Sequence, residues 1–531
     1  MDTKALRQKI LDLAIRGKLV PQDPNDEPAS VLLGRIRAKK KQLVKEGKLK
    51  AKDIKNDTVI YVGEDNLHYE KFHDGTVKCI EDEIPFKVPD GWTWTRLQGI
   101  CSLLTDGTHK TPTYSEEGFI FLSSKNVTSG VIDWDNIMHI PESLHHDLYK
   151  RLAPQRNDIL LAKNGTTGVA AIVDRDVIFD IYVSLALIRI TDNVIEPAYI
   201  LNSFGSTYIQ NYFASSLKGI GVPNLHLGQI RNTLLPIPPY SEQNRICLQL
   251  NELLPLIERI SMEKDALREL VGNAKSKILD LAIRGKLVPQ DPNDEPASVL
   301  LERIHEEKEK LIKQGKIKRN KKESVIFRGD DNSYYESVNK IIVPFEQDAL
   351  FNLPANWTWC RIRNIASVQG GKRLPKGTDF SDTLTDHAYI RVADMKNRTV
   401  NATNLKYISD DVYEQIKSYT ISSKDLYVTI AGTIGVVGEV PDSLDGMNLT
   451  ENAVKICNIA IDKEYLCYIL LSSFVQHQFQ DKTHQVAMPK LALERILTTL
   501  IPLPPLDEQK KIVNAVNKCI FRLNSIQELL A

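Results

Sequence analysis

Twenty-five consecutive residues, KILDLAIRGKLVPQDPNDEPASVLL, occur twice without a single change, at 9–33 and again at 277–301. A repeat this distant and seen only twice is a duplicated domain, because solenoid repeats recur every 20 to 50 residues or so. Weaker echoes keep nearly the same spacing. VIYVGEDNLHYE at 59–70 answers VIFRGDDNSYYE at 325–336, and GWTWTRL at 91–97 answers NWTWCRI at 356–362. LLPIPPYSEQNRI at 234–246 answers LIPLPPLDEQKKI at 500–512. Between these anchors the halves diverge: 101–122 reads CSLLTDGTHKTPTYSEEGFIFL where 366–390 reads ASVQGGKRLPKGTDFSDTLTDHAYI. Shared connectors with unlike inserts suit one common partner for the connectors and two different ligands for the inserts. Unequal drift after duplication is the plainer alternative.

With 531 residues, 42% hydrophobic and 26% charged, the chain has globular composition and is too long for one core. No apolar run approaches the 18 or so residues of a membrane span, and the opening residues lead into no signal-peptide core, so a cytoplasmic protein is expected. The seven cysteines are scattered and never spaced as CxxC, which fits reduced thiols and neither a zinc site nor a disulfide frame. Basic and acidic residues balance at 68 each, so any nucleic-acid contact must rest on local patches.

Behind each SEQ or DEQ anchor the apolar spacing predicts a long helix. Leu250, Leu253, Ile257 and Ile260, then Leu267, Val271 and Ile278, step by threes and fours with Lys264 intruding, a heptad seam. Ile512, Val516, Cys519 and Leu523 repeat that register near the C-terminus, and Thr3, Leu6, Ile10 and Leu13 resume it at the N-terminus. The termini therefore read as two halves of one interrupted helix. Pairing them antiparallel with the central helix gives pseudo-twofold symmetry and a ring closed by the termini. At about 1.5 Å per residue the central helix would span on the order of 60 Å, with a kink expected at Pro255.

Catalytic motifs are missing from this pattern. GTTG at 165–168 and GTIG at 432–435 follow apolar runs as tight turns and lack the Gly-Lys-Ser/Thr of a phosphate loop. Pro236-Ile237-Pro238-Pro239-Tyr240 places Ile237 where an amino-group methyltransferase needs a polar acceptor, and Leu503 stands there in the second copy. It reads as a rigid linker with Ser241 or Asp507 capping the helix behind it. His145-His146-Asp147 has no second ligand cluster, so an exposed polar turn is expected, and no metal or catalytic residue is assigned.

Binding features are stronger. Residues 34–56 carry ten Lys and Arg against two acids, whereas the basic excess of 302–324 is offset further by Glu302, Glu306, Glu307 and Glu309. The inserts offer Thr108, His109, Lys110, Thr111, Tyr114, Ser124, Lys125 and Asn126 in one half. Lys372, Arg373, Lys376, Tyr389 and Arg391 stand in the other, in Gly- and Pro-punctuated loops of the kind that reach DNA groove edges. FIFLSSKNV and AYIRVADM alternate as strands, making each insert an α/β globule.

Together, the paired halves, the (L/I)PxPPxxEQxxI connectors, the heptad helices and the AIRGKLVPQDPNDEPA element resemble the specificity subunits of type I restriction-modification systems. DGTHKTPxY at 106–114 and GKRLPKG at 371–377 resemble that family's target-recognition entry loops. The resemblance implies an α+β chain with two α/β target-recognition domains, separated by long antiparallel coiled-coil helices. On this basis 1–58 is an N-terminal helix with its basic extension, 59–240 and 325–506 are the recognition domains, 241–324 is the central helix with the second extension, and 507–531 is the closing helix. It further implies a non-catalytic subunit that reads bipartite double-stranded DNA. Leu250, Leu253, Ile257, Ile260, Leu267, Val271, Ile278, Ile512, Val516 and Leu523 would dock two modification (methyltransferase) subunits. S-adenosylmethionine, ATP and Mg would belong to the modification and restriction subunits, and this chain would hold no cofactor. A coiled-coil scaffold binding only proteins is the competing reading.

Overall fold

The structure is a computed structural model and describes residues 2–128, 130–191, 194–217, 224–315, 324–338, 341–345, 351–481 and 490–530. The chain forms two compact units, Met1–Lys264 and Asp265–Ala531. The stretch 241–324, read from sequence as one central segment, is divided between them.

In the first unit, Asp2 caps the helix Thr3–Ile15 by accepting from the Lys4 and Ala5 N–H groups. The helix stops at Gly17, where the Gly17 N–H donates to Ala14 and the Lys18 N–H to Leu13. Gly17 sits at φ +62°, and a Cβ there would stand 2.4 Å from Cγ of Pro89. This explains the glycine inside the repeated element, and Gly285 meets Pro354 at the same 2.4 Å in the second unit.

A four-stranded antiparallel sheet follows, in the order Cys101–Asp106, Leu185–Ile190, Ile159–Ala162, Ala170–Ile172. Both of its faces are covered. Leu104, Ile159, Leu161, Ala186 and Ile188 pack with Leu11, Trp92, Tyr199 and Phe204. Leu160, Ala162, Leu185 and Leu187 pack with Leu122, Val127 and Phe179. Burial on two faces is why these strands read as continuous apolar runs. A second sheet sets Phe119–Leu122 between Met138–Ile140 and the parallel strand Phe179–Ile181.

The second unit repeats the first sheet as Ser367–Gly370, Ala453–Cys457, Leu426–Thr429, Val437–Glu439. Its second sheet grows to four strands, Lys406–Tyr407, Ala388–Ile390, Met447–Leu449, Thr420–Ile421, and keeps the one parallel pairing. The insert departs here, on a frame held constant.

The connector motif works as a bracket in both copies. Glu242, 1% exposed, accepts from Trp92 Nε1 at 2.9 Å and from Gln22 Nε2 at 3.0 Å. Glu508 accepts from Trp357 Nε1 at 2.9 Å and from Gln290 Nε2 at 2.6 Å. Burial lifts the Glu508 carboxyl above its ordinary range despite these hydrogen bonds. Gln243 and Gln509, both fully buried, donate to the Pro238 and Pro504 carbonyls and accept from the Glu196 and Asp462 N–H groups. Arg245 pairs with Asp26, and Lys511 with Asp294. Each bracket thus ties one copy of the repeated element, the tryptophan strand and the following helix together.

The helix Tyr240–Ile283 runs for 44 residues and continues through Pro255. It starts at Tyr240, and Leu506–Leu529 starts behind Pro505 without a side-chain cap, so Ser241 and Asp507 do not hold the capping position. Antiparallel packing is seen inside each unit. Thr3 Oγ1 meets Ser261 Oγ at 3.2 Å while Arg7 reaches Glu258 at 3.0 Å. In the second unit Arg268 donates to the Leu530 carbonyl at 2.7 Å, and Lys275 donates to Asn524 and Gln527. Met1 and Ala531, the ends expected to close the ring, lie outside the described residues.

The seam is used differently from the sequence expectation. Leu250 is fully buried in the first unit's core, and Ile512 and Val516 are 1% and 0% exposed in the second's. These three hold their own units together and present nothing to a partner. Ile257 and Val271 are buried too, Leu253, Ile260, Ile278 and Leu523 are half-buried, and Leu267 is exposed. His145 is not in an exposed turn. It lies buried on the helix Glu142–Arg151, 2.7 Å from Asp180 and stacked on Phe119.

Candidate nucleic-acid interface

At one end of the first unit's main sheet, Asp106 pairs with Ala186 and Ala162 with Leu185, so the loops after Cys101–Asp106 and Ile159–Ala162, the two strands that flank Leu185–Ile190, leave from the same end. Gly107 opens the first loop. A Cβ there would stand 2.0 Å from the Ile181 carbonyl oxygen, so only glycine lets the backbone pass. Beneath it, Lys163 Nζ meets Asp106 Oδ2 at 2.5 Å with both side chains under a tenth exposed. Arg151 donates to the Asp106 carbonyl at 3.0 Å. An ion pair so buried holds its loops firmly, because neither charge has water to fall back on.

On this base the predicted residues divide. His109, Lys110, Thr111, Tyr114 and Lys125 are exposed, with Tyr114 edge-on to Phe121. His109 Nε2 lies 3.3 Å from Asp106. Thr108 is nearly buried, and its N–H donates to Ile181. Ser124 is half-buried, its N–H donating to Ser184 Oγ. Asn126 is a correction: it is 5% exposed, accepts from the Ser123 N–H and donates to the Asp133 and Asn136 carbonyls, so its amide is consumed by the turn that ends the strand.

In the second unit Gly371 has the role of Gly107, with a would-be Cβ 2.1 Å from the Thr450 carbonyl oxygen. Lys372, Arg373 and Lys376 are exposed. Arg373, 79% exposed, donates from Nε to Glu451 at 2.8 Å, which leaves the rest of its guanidinium fork outward. Partial burial opposes ionisation of Glu451, but hydrogen bonds from Arg373 and Thr450 prevail and hold the carboxyl below its ordinary range. Two expected readers are framework instead. Tyr389 is 3% exposed, donates to the Lys372 carbonyl at 2.7 Å, and is pushed up to about 12 by burial. Arg391 is spent as a bidentate partner of Asp394, whose carboxylate also accepts the Arg391 N–H. That turn is the counterpart of Ser123–Asn126, which is why both strands end earlier than their alternation suggests.

Asp106, Lys163 and Glu451 were not assigned from sequence. Asp106 stood inside the DGTHK motif and gave a signal; Lys163 and Glu451 stand in runs with none. Among the described residues no group of three potential metal ligands converges.

Two unlike sets of exposed donors thus stand on one duplicated frame. The chain belongs to the family of the type I restriction modification DNA specificity domain, whose model matches residues 89–268 and 354–529. It is 28% identical to the specificity subunit of the type I restriction enzyme EcoAI of Escherichia coli, over 99% of this chain and 90% of that one. It is 26% identical to the EcoEI specificity subunit of the same species, over 97% and 88%. A solved structure described as showing complex assembly and conformational transition of the type I R-M system shares the fold, with TM-score 0.53 at 18% identity, covering 84% of this chain and 94% of that one. As a specificity subunit of this class the chain is non-catalytic. Among the described residues no helix is long and apolar enough to cross a membrane.

Proposed function

We propose that the chain reads an interrupted, two-part sequence in double-stranded DNA, one part through each unit, and docks subunits that modify and cleave it. The observation that carries this reading is the pairing of equivalent brackets with unlike donor loops at the same end of the corresponding sheet. In the first unit His109, Lys110, Thr111, Tyr114 and Lys125 face the groove; in the second, Lys372, Arg373 and Lys376 do. Phosphate contacts set register, and base-edge contacts from such side chains set sequence. Two modification subunits bring S-adenosylmethionine, and restriction subunits bring ATP and Mg. Docking falls to apolar side chains left exposed on the helices: Leu248, Leu256 and Met262 in the first unit, and Leu270, Phe521 and Leu529 in the second, all at least 44% exposed. Closure of the ring by the termini, with the helices acting as a spacer between half-sites, belongs to the same proposal.

Selection from randomised DNA by the assembled complex tests it. Arg373→Ala should lower discrimination at one half-site by about 1–3 kcal/mol, on the order of 10- to 100-fold, and leave the other half-site unchanged. Equal relaxation at both would remove the assignment of separate readers. No sequence preference in the unaltered complex would favour a protein-binding scaffold.

A further inference from the structure

The segment ahead of each tryptophan strand lies outside the family match, which begins at residue 89 in the first copy and 354 in the second. In the first unit it comprises the helix Ala29–Lys45, a short turn of helix Ala51–Ile54, and the antiparallel sheet Val59–Val62, His68–Lys71, Val77–Cys79. Between helix and sheet lies a cleft of about 230 Å³ lined by Arg37, Lys40, Lys41, Asp57 and Lys71, among others. We infer that this cleft is a phosphate site, which holds one backbone phosphodiester of the bound DNA apart from the base-reading loops. The inference rests on the DNA-reading function proposed above.

Charge accounting within the cleft carries the argument. Its one carboxylate, Asp57, is already engaged, because Lys40 Nζ sits 2.6 Å away and also donates to the Gln98 carbonyl. Lys40 is 1% exposed, so this cation from the basic run is a structural strut and not a phosphate contact. Among the described residues no carboxylate pairs with Arg37, Lys41 or Lys71. Three cations from two elements therefore line one cleft whose single carboxylate is already paired with a fourth, Lys40. Arg37 is half-buried, and a cation withdrawn from water without a partner is costly, a cost that an incoming anion removes. A guanidinium fork suits phosphate oxygens, with the two ammonium groups adding charge.

A polyanion fits better than an isolated acidic side chain, because Lys45, Lys50, Lys52 and Lys55, all exposed, continue the same segment. The second copy lacks the site. At the repeat offset His305 replaces Arg37, Glu309 replaces Lys41 and Glu307 replaces Lys39, while Ser337 replaces Lys71. In that unit the helix and sheet instead border a cleft of about 590 Å³ that includes Leu301, Ile326, Leu353 and Trp357. The same module thus carries an anion site in one copy and, in the other, a cleft of mixed lining in which Glu302 and Glu306 stand beside the apolar residues.

The test compares the assembled complex with its Arg37→Ala/Lys41→Ala variant, binding target duplex over a range of salt concentrations. One lost phosphate contact should reduce the slope of log K against log salt by about 0.9. The preferred sequence should stay the same, and a duplex carrying one neutral methylphosphonate at the contacted phosphate should bind both proteins alike. Glu306→Ala in the second copy should leave the slope unchanged. An unaltered slope in a folded double variant overturns the inference, as does loss of subunit assembly without a change in slope, which would assign the cleft to an acidic protein surface. If the unaltered complex shows no preferred sequence, the DNA-reading function fails instead.

Discussion

Replacing Asp106 with alanine is expected to cost the first unit about 3–5 kcal/mol, because it strands the buried Lys163 ammonium, which has no other ion-pair partner among the described residues. The pair is made at 2.5 Å with Lys163 and Asp106 only 5% and 9% exposed at the side chain, so water cannot replace the lost partner. Both residues sit where the two loops of the reading edge leave the sheet. The functional consequence is therefore local: sequence preference at one half-site should disappear, while that read by the second unit persists. Amide hydrogen exchange reports it, as faster exchange in Leu185–Ile190 with little change in Ala453–Cys457. Adding Lys163→Met should recover much of the stability, since an apolar pair of similar size tolerates that environment. A single variant within about 1 kcal/mol of the parent would show that the pair is not what holds the loops.

Glu242→Ala and Glu508→Ala should each destabilise their own unit by about 1–3 kcal/mol, since each strands a buried indole N–H, while Gln22 and Gln290 keep their bonds to the Gly17 and Gly285 carbonyls. Trp92 and Trp357 are 7% and 6% exposed, and both indole bonds are 2.9 Å long. The two sites share no side-chain partner, so the double variant should lose about the sum of the two in denaturant unfolding. Conservative Glu→Gln changes should lose less, because an amide oxygen still accepts from the tryptophan. If alanine at either site is neutral, the connector is merely a linker and the bracket description is wrong.

The duplication was plain in the sequence because identical residues announce it, and the two units follow the repeat. The connector's role was not. PxPPxxEQ reads as a proline-rich joint with a helix cap, whereas its glutamate and glutamine reach across the fold to partners 150 and 47 residues away. Pattern along the chain carries no trace of such distant pairing. The heptad was legible as a helix but not as a surface, because Leu250, Ile512 and Val516 lie where each helix crosses its own unit and are claimed by that core. Among the readers, residue type misled in a consistent way. Asn126 and Arg391 have the chemistry that reads adenine and guanine, yet each occupies a turn that needs the same hydrogen-bonding groups. Arg373 and Lys110 escape that use by standing past a glycine that carries the loop outward.

The central claim is that this chain alone sets which DNA sequence its complex acts on. Long-read mapping of DNA methylation tests it most directly, in cells expressing the companion modification subunit with and without this chain. The account expects one interrupted motif, methylated only when the chain is present, with one half lost on Asp106→Ala and the other relaxed on Arg373→Ala. Methylation at an unchanged set of sites with and without the chain would contradict it.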